Sequence, residues 1–214
     1  MKIQKSLLAN GLTVITDRMD TVETVSLGVW VNVGTRDEYP DVNGVSHLLE
    51  HMIFKGTKRR DAYKIATDIE DVGGHINAYT SREHTAYYAK VLKDDLSLAV
   101  DLISDILQHS KLDEDELIRE QAVILQEINQ ANDTPDDIIF DYFQETAFPN
   151  QAMGRPVLGR PEIVQAIDRE CIKTYMHHHY CGKRMIVAAA GNLEHETFVK
   201  LVEKFFDSLP DATP

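Results

Sequence analysis

Two histidines and a glutamate lie close together in the segment GVSHLLEHMIFKGT, residues 44–57. His47 and His51 are four residues apart, so on a helix both imidazoles project from the same face. Glu50 directly precedes His51 and is free to hold a water molecule beside the pair. Zinc hydrolysis requires this combination, because neutral imidazoles bind the ion and a separate carboxylate takes a proton from water. The order H-x-x-E-H is the inverted form of the metallopeptidase motif.

The simplest alternative is that His47 and His51 are chance neighbours on an exposed helix face. The surrounding sequence argues against it, because apolar residues fill the positions around the three polar ones. A helix with this composition is largely buried, and buried polar groups need partners. The motif therefore favours a metal site.

A catalytic zinc site with two histidines usually has a third protein ligand, often glutamate. The segment LIREQAVILQEINQ contains Glu120 and Glu127, which are two helical turns apart and therefore share a face. In this interpretation Glu127 is the ligand, and Glu120 orients a histidine or the water. Spacing alone leaves the choice open among the 35 acidic residues.

The charge balance predicts the class of partner. The chain of 214 residues has 22 Lys+Arg against 35 Asp+Glu and a formal net charge of -13. Such a surface repels nucleic acid and favours basic peptides. The N-terminal segment lacks the apolar core of a signal peptide, and no segment reaches membrane-spanning length, so we expect no membrane partner. These features predict a cytoplasmic protein, or one whose targeting segment has been removed.

Two other groups of potential metal ligands are weaker. Cys171 and Cys181 are ten residues apart and read as ordinary reduced thiols, because this spacing fits neither a disulfide scaffold nor a zinc finger. The run His177-His178-His179 places consecutive side chains about 100° apart on a helix, so the three rings do not converge on one ion. We interpret this run as exposed surface.

Hydrophobic periodicity predicts the elements that position these residues. The turn at Asn10-Gly11 predicts a hairpin between residues 7–8 and 12–16, and alternating apolar residues predict a strand over 25–33. Further strands are predicted over 75–79, 85–92 and 185–190. Helices are predicted around His47 and over 61–72, 96–107, 113–131, 136–147, 169–180 and 192–206. The pattern indicates one α+β domain, a mostly antiparallel sheet covered by helices.

These motifs resemble the M16 peptidases, the pitrilysin family, and most closely its mitochondrial processing peptidase beta-subunit branch with the bacterial relatives. The family pattern is H-x-x-E-H with a ligand glutamate 76 residues after the second histidine, and that position here is Glu127. A further family glutamate seven residues earlier matches Glu120. The segments GGHINAYTSREHTAYYAKV (73–91) and MGRPVLGRPEIV (153–164) extend the likeness over nearly the whole chain. The resemblance implies one half of an M16 clamshell with Zn²⁺ held by His47, His51 and Glu127 and with Glu50 as general base.

The resemblance also implies six substrate-binding residues: Phe54, Asn77, Ala78, Tyr79, Asp137 and Asp141. The three consecutive residues would bind an extended peptide through their main chain, as an added strand. The phenylalanine would line the pocket for the side chain after the scissile bond, although ordinary core packing explains it equally well. The two aspartates would favour arginine before the cut, with a solvated acidic face as the alternative.

Members of the family have two homologous halves that enclose the peptide. Residues 1–214 end where the first half would end, so we expect the N-terminal catalytic domain, with the C-terminal half supplied by a longer protein or a second chain. An apolar face left exposed where that half would pack would also permit a homodimer. The alternative function is a zinc-holding, peptide-binding or assembly half that does not hydrolyse peptides alone. In a eukaryote the resemblance implies the mitochondrial matrix.

Overall fold

Six β-strands form one mixed sheet in the computed structural model, which describes residues 3–210. The strands are Ile3–Leu7 (β1), Thr13–Arg18 (β2), Thr24–Val31 (β3), His75–Thr80 (β4), Thr85–Leu92 (β5) and Met185–Gly191 (β6). Their order is β1-β2-β6-β3-β5-β4, so β1 and β4 are the edges. Only the pair β2 and β6 is parallel among these strands. The predicted α+β fold with a mostly antiparallel sheet is confirmed.

Eight α-helices accompany the sheet in the described residues. They are Val45–Ile53 (α1), Ala62–Glu70 (α2), Leu96–His109 (α3), Glu114–Asp133 (α4), Pro135–Ala147 (α5), Pro161–Val164 (α6), Arg169–His179 (α7) and His195–Phe205 (α8). The sequence predicted all of them except α6, whose four residues are too few to show a helical period. None of the helices within residues 3–210 is both long and apolar enough to cross a bilayer.

The helices cover one face of the sheet. Val25, Leu27 and Val29 on β3 point to this face and are almost completely buried, because α3 packs against β3 and β5. Their neighbours in sequence point to the other face. On that face Trp30 lies beside Ile186 of the adjacent strand β6, and the two keep 36% and 40% of their surface exposed. The sheet therefore has one closed face and one open face with apolar side chains.

A buried carboxylate fixes the start of α1. Gly44 precedes the helix with φ 102°, and a Cβ there would lie 3.0 Å from the Gly159 Cα, so only glycine fits. Because glycine has no capping side chain, Glu38 takes that role: it accepts hydrogen bonds from the amides of Gly44 and Ser46, both at 2.8 Å. Burial raises the pKa of Glu38, and the hydroxyl and amide groups of Ser46 partly oppose this.

The loop after α1 is tied to α3 by ion pairs that we call the arginine–aspartate network. Arg60 binds Asp101 at 2.6 Å and Asp105 at 2.8 Å, and Arg59 binds the same two aspartates at 2.6 and 3.0 Å. Asp105 is completely buried and also accepts a hydrogen bond from Thr57 at 2.8 Å. The network therefore holds the segment that leaves the H-x-x-E-H helix.

Neither the cysteines nor the histidine run belongs to a group of three potential metal ligands within residues 3–210. Cys181 is buried and Cys171 half-buried, and both are free thiols, as predicted. His177 and His178 are exposed, which confirms the surface prediction for these two. His179 differs: it is half-buried and hydrogen-bonds to Arg184 at 3.1 Å, because the last turn of α7 packs against the chain that enters β6.

Candidate metal centre

Helices α1 and α4 pack together and bring three potential ligands to one point. The Nε2 atoms of His47 and His51 lie 3.8 and 3.7 Å from the Glu127 Oε2. The three ligand atoms lie within 4.8 Å of one another, and the two imidazole rings are 4.7 Å apart between centroids. In the part of the chain that the structure describes, this is the only group of three such side chains close enough to share a metal ion.

The geometry and protonation of this group suit a zinc ion. Tetrahedral zinc with bonds of about 2.1 Å separates its ligand atoms by about 3.4 Å, close to the distances found. The contacts are too long for hydrogen bonds, so the carboxylate does not bond to the rings directly. Burial, and in second place the neighbouring His51, lower the pKa of His47 to about 4. The imidazole of His47 is therefore neutral and able to ligate at neutral pH.

Glu50 lies on α1, the helix that carries His47 and His51, and it is half-buried. Its Oε2 atom is buried and has no hydrogen-bond partner among residues 3–210. Burial raises the pKa of Glu50 and the Glu127 charge adds to this, while Thr80 and His51 oppose the shift. A carboxylate with a free acceptor atom and a raised pKa is a stronger base than an ordinary glutamate, as a proton acceptor for water requires.

Glu120 links His51 to a lysine that the sequence analysis did not single out. The His51 Nδ1–H donates to Glu120 Oε2 at 2.9 Å, and Lys55 Nζ lies 2.6 Å from Glu120 Oε1. Burial alone would raise the pKa of Glu120, but the hydrogen bonds from Lys55 and His51 outweigh it and lower the pKa. Since an ionised carboxylate only accepts, the proton of His51 sits on Nδ1 and leaves Nε2 free. The one sequence signal for Lys55 is its position four residues after His51.

Strand β4 carries the three residues predicted to bind peptide main chain. It is the last strand of the sheet and pairs only with β5 among the described strands. Asn77 and Tyr79 are exposed and Ala78 is buried, as alternation along a half-covered strand requires. Because α1 packs against β4, this edge runs beside the metal ligands.

Phe54 fits both of its interpretations. It is half-buried and packs against the hydrophobic core, directly after α1. It also lines a cavity of about 300 Å³, together with apolar side chains of α2 and the start of β4, among them Ile65, Ile69 and Ile76. The cavity also borders Asn77 on the β4 edge.

The two aspartates predicted to recognise arginine differ in their surroundings. Asp137 is exposed, and its carboxylate makes no ion pair within the described residues. Asp141 is half-buried, and Arg82 donates a hydrogen bond to it at 2.8 Å, which offsets its charge. Around them α5 exposes apolar side chains, with Phe140 at 68% and Phe143 at 64%.

Comparison with known proteins identifies the family. Residues 13–161 match the family Insulinase (Peptidase family M16), and residues 166–214 match Peptidase M16 inactive domain. The chain is 45% identical over 202 residues to the probable mitochondrial-processing peptidase subunit beta of Arabidopsis thaliana, covering 94% of this chain and 38% of that protein. It is 40% identical over 206 residues to the uncharacterized zinc protease YmxG of Bacillus subtilis, covering 96% of this chain and 50% of that protein.

Solved structures agree. A protease from Helicobacter pylori superposes with a TM-score of 0.94 at 27% identity, covering 99% of this chain and 51% of that chain. A peptidase M16 inactive domain from Pseudomonas fluorescens shares the fold, with a TM-score of 0.92 at 16% identity, and 99% and 52% of the two chains are covered. The chain spans between 38% and 52% of the length of these four proteins. It belongs to peptidase family M16.

Proposed function

We propose that this chain is the catalytic, zinc-holding half of a metalloendopeptidase. The observation that carries the proposal is the convergence of His47, His51 and Glu127 within 4.8 Å, with Glu50 beside them. The family and the names of relatives, a zinc protease and a processing peptidase, support hydrolysis of peptides as the activity. Residues 1–214 then form one N-terminal catalytic domain of an M16 protein.

The residues of this chain divide the chemistry between them. His47, His51 and Glu127 would hold the zinc ion, which would supply a Lewis acid for the scissile carbonyl and lower the pKa of a water molecule. Glu50 takes a proton from the attacking water at its free Oε2 and delivers it to the departing amine. Glu120 holds the Nδ1 proton of His51, so the ring keeps the orientation in which Nε2 faces Glu127.

The substrates in this proposal are extended, basic peptides such as targeting presequences. The net charge of -13 attracts basic chains, and the β4 edge offers Asn77, Ala78 and Tyr79 for main-chain pairing. Phe54 and its cavity accept an apolar side chain after the scissile bond. Asp137, with Asp141 in a lesser role because of Arg82, favours arginine before it.

The proposed partner is a second M16 half, in the same protein or in another chain. The apolar residues Trp30 and Ile186 on the open sheet face, and Phe140 and Phe143 on α5, give it surfaces to cover. A homodimer would cover the same surfaces. The compartment would be the cytoplasm in a bacterium and the mitochondrial matrix in a eukaryote; the name of the Arabidopsis relative includes the word mitochondrial.

The second candidate function is a zinc-holding half that binds peptides without hydrolysing them. The open β4 edge favours it, because a peptide added there would pair with one strand only within the described residues. A peptidase assay on a fluorogenic basic peptide, with and without an added C-terminal M16 half, separates the two. Cleavage in either condition that stops in Glu50→Gln supports the endopeptidase. Zinc binding without cleavage in both conditions supports the second candidate.

A further inference from the structure

Lys55, Glu120 and His51 form a chain of contacts that ends at the proposed metal. Lys55 Nζ lies 2.6 Å from Glu120 Oε1, and Glu120 Oε2 accepts from His51 Nδ1 at 2.9 Å. The structure assigns Lys55 the role of a positioning residue: acting through Glu120, it fixes the tautomer and orientation of His51 and so sets the affinity for zinc. The zinc part of this inference rests on the proposed function.

Glu120 needs two partners because of where it lies. Only 6% of its surface is exposed, and a buried carboxylate without a compensating charge is costly. Each oxygen has one donor: the lysine serves Oε1 and the histidine serves Oε2. Without Lys55, Oε1 loses its only donor among the described residues, and the Glu120 side chain is free to turn toward solvent. That change withdraws the fixed acceptor from His51 Nδ1.

Lys55 is itself held in place by the chain on both sides. Helix α1 ends at Ile53, two residues earlier, and Gly56 follows with φ 117°. The Gly56 carbonyl accepts from the Lys111 amide at 3.0 Å, and Thr57 pairs with Ser110 as a β-bridge. The lysine therefore projects from a fixed backbone toward α4. Little backbone freedom is lost when its ammonium group pairs with Glu120.

The two histidines differ in whether the Nδ1 atom has a hydrogen-bond partner. The Nδ1 atom of His47 is buried and has no hydrogen-bond partner among residues 3–210, whereas the Nδ1 atom of His51 has Glu120. The orientation of His51 thus depends on a side-chain contact, and that contact depends on Lys55. Outer partners of ligating histidines typically change metal affinity by about 10–100-fold.

The competing explanation is that Lys55 only anchors the α1–α2 loop to α4. An anchor would change the stability of the protein but would leave the tautomer of His51 and the effect of Glu120 on zinc unchanged. Two measurements separate the explanations. They are the zinc dissociation constant, from competition with a chromogenic chelator, and the ring ¹⁵N shifts of His51 in the metal-free protein.

The variants are Lys55→Met, Lys55→Gln, Lys55→Arg, Glu120→Gln and the double variant Lys55→Met with Glu120→Gln. Lys58→Met is the matched control, because Lys58 is an exposed lysine of the same loop. We expect Lys55→Met to weaken zinc binding about tenfold and to mix the His51 tautomers. Lys55→Arg should retain most of the zinc affinity, because arginine keeps the positive charge. Lys58→Met should bind zinc as tightly as wild type. Lys55→Gln is measured as well, so a failure of Lys55→Met to fold leaves the test in place.

In the Glu120→Gln background, the Lys55→Met change should have little further effect, because the lysine acts through that carboxylate. An equal loss of affinity in both backgrounds would overturn the inference, as would an unchanged His51 tautomer in Lys55→Met and Lys55→Gln. If wild type binds no zinc, the proposed function fails, and the tautomer comparison still decides the role of Lys55.

Discussion

The proposed metal-ligand region and the proposed peptide-facing region of this domain are built differently. Around the ligands, polar groups meet one another in buried or half-buried positions: His51 contacts Glu120, and Glu120 contacts Lys55. On the peptide-facing side, Asn77 and Tyr79 are exposed on an edge strand. Helix α5, which lies wholly within the described residues, has no fully buried residue.

This difference indicates which part of the function the domain can organise by itself. Contacts within this chain hold the ligand set, the proposed base Glu50 and the supporting carboxylate, since all lie on the packed pair α1 and α4. The proposed peptide-facing surfaces have fewer such contacts: Asp141 pairs with Arg82, but Asn77 and Tyr79 are exposed. Under the proposed function, this domain would supply the chemistry and a second M16 half would close the peptide site. The predictions below ask whether substitutions in the two regions differ as this division requires.

The largest effect is expected at Glu50. Glu50→Gln removes the proposed proton acceptor and leaves the ligands in place, so turnover should fall about 10²–10⁴-fold while zinc content stays at the wild-type level. Turnover is measured on a fluorogenic basic peptide in the presence of a C-terminal M16 half, and zinc by elemental analysis. His51→Ala is the matched control and should lose both zinc and turnover. An active Glu50→Gln protein would remove Glu50 from the role of base.

The next effect concerns stability. Asp105→Asn weakens the arginine–aspartate network and should lower the free energy of unfolding by about 2–3 kcal/mol. Asp137→Asn is the control from the peptide-facing region and should change it by less than about 0.5 kcal/mol, because that carboxylate is exposed. Urea denaturation measures both. Equal effects at the two positions would contradict the contrast between the regions.

The effect of Asp105 should depend on pH in a defined direction. Burial alone would raise the pKa of Asp105, but hydrogen bonds from Thr57, Arg60 and Arg59 outweigh it and lower the pKa. The stabilisation is therefore complete above the unfolded-state pKa of about 3.9 and is lost as the pH falls through the lower folded-state value. The stability difference between wild type and Asp105→Asn should shrink in strong acid, and a difference that grows there would contradict this.

A smaller effect is expected at Glu120. Glu120→Gln keeps the shape of the side chain but weakens its acceptor for His51 and its pairing with Lys55, so zinc affinity should fall about 10–100-fold. Competition with a chelator measures the change. Glu114→Gln, at an exposed position of the same helix, is the control. Wild-type affinity in Glu120→Gln would show that His51 needs no support from α4.

The smallest effect is expected on the peptide-facing side. Asp137→Asn should reduce the preference for arginine over alanine before the cut by about threefold, the size of an exposed ion pair. The ratio of kcat/KM for two otherwise identical peptides measures it, with the C-terminal half present. Asp133→Asn, an exposed acid at the end of α4, controls for net charge. If both variants lose the same preference, the overall field and not Asp137 selects arginine.

Local sequence patterns predicted most of the fold. The strand predicted over 25–33 is β3, Thr24–Val31, and the predicted hairpin forms, with Leu7 opposite Thr13. The Leu8 amide bonds to the Leu12 carbonyl at 2.9 Å, which makes the connection longer than the two-residue turn at Asn10-Gly11. The position of β6 between β2 and β3 could not be predicted from local sequence patterns, because that pairing joins residues far apart in the chain.

The candidate site was predictable where spacing or family pattern carried information. The four-residue interval placed His47 and His51 on one face, and the family spacing pointed to Glu127, which the structure brings to the same point. Lys55 was not predictable, because local pattern does not separate it from the other cations among the 22 Lys+Arg. Its partner is on α4, and only the packing of α4 on α1 makes the contact.

The most direct test of the central claim is the zinc content of the purified protein after reconstitution, compared between wild type and Glu127→Gln. The three-ligand site predicts about one zinc per wild-type chain and a large loss in Glu127→Gln, with Glu114→Gln unchanged. A wild-type protein without zinc, or a Glu127→Gln protein that holds as much as wild type, would contradict the claim that α1 and α4 of this half assemble the metal centre.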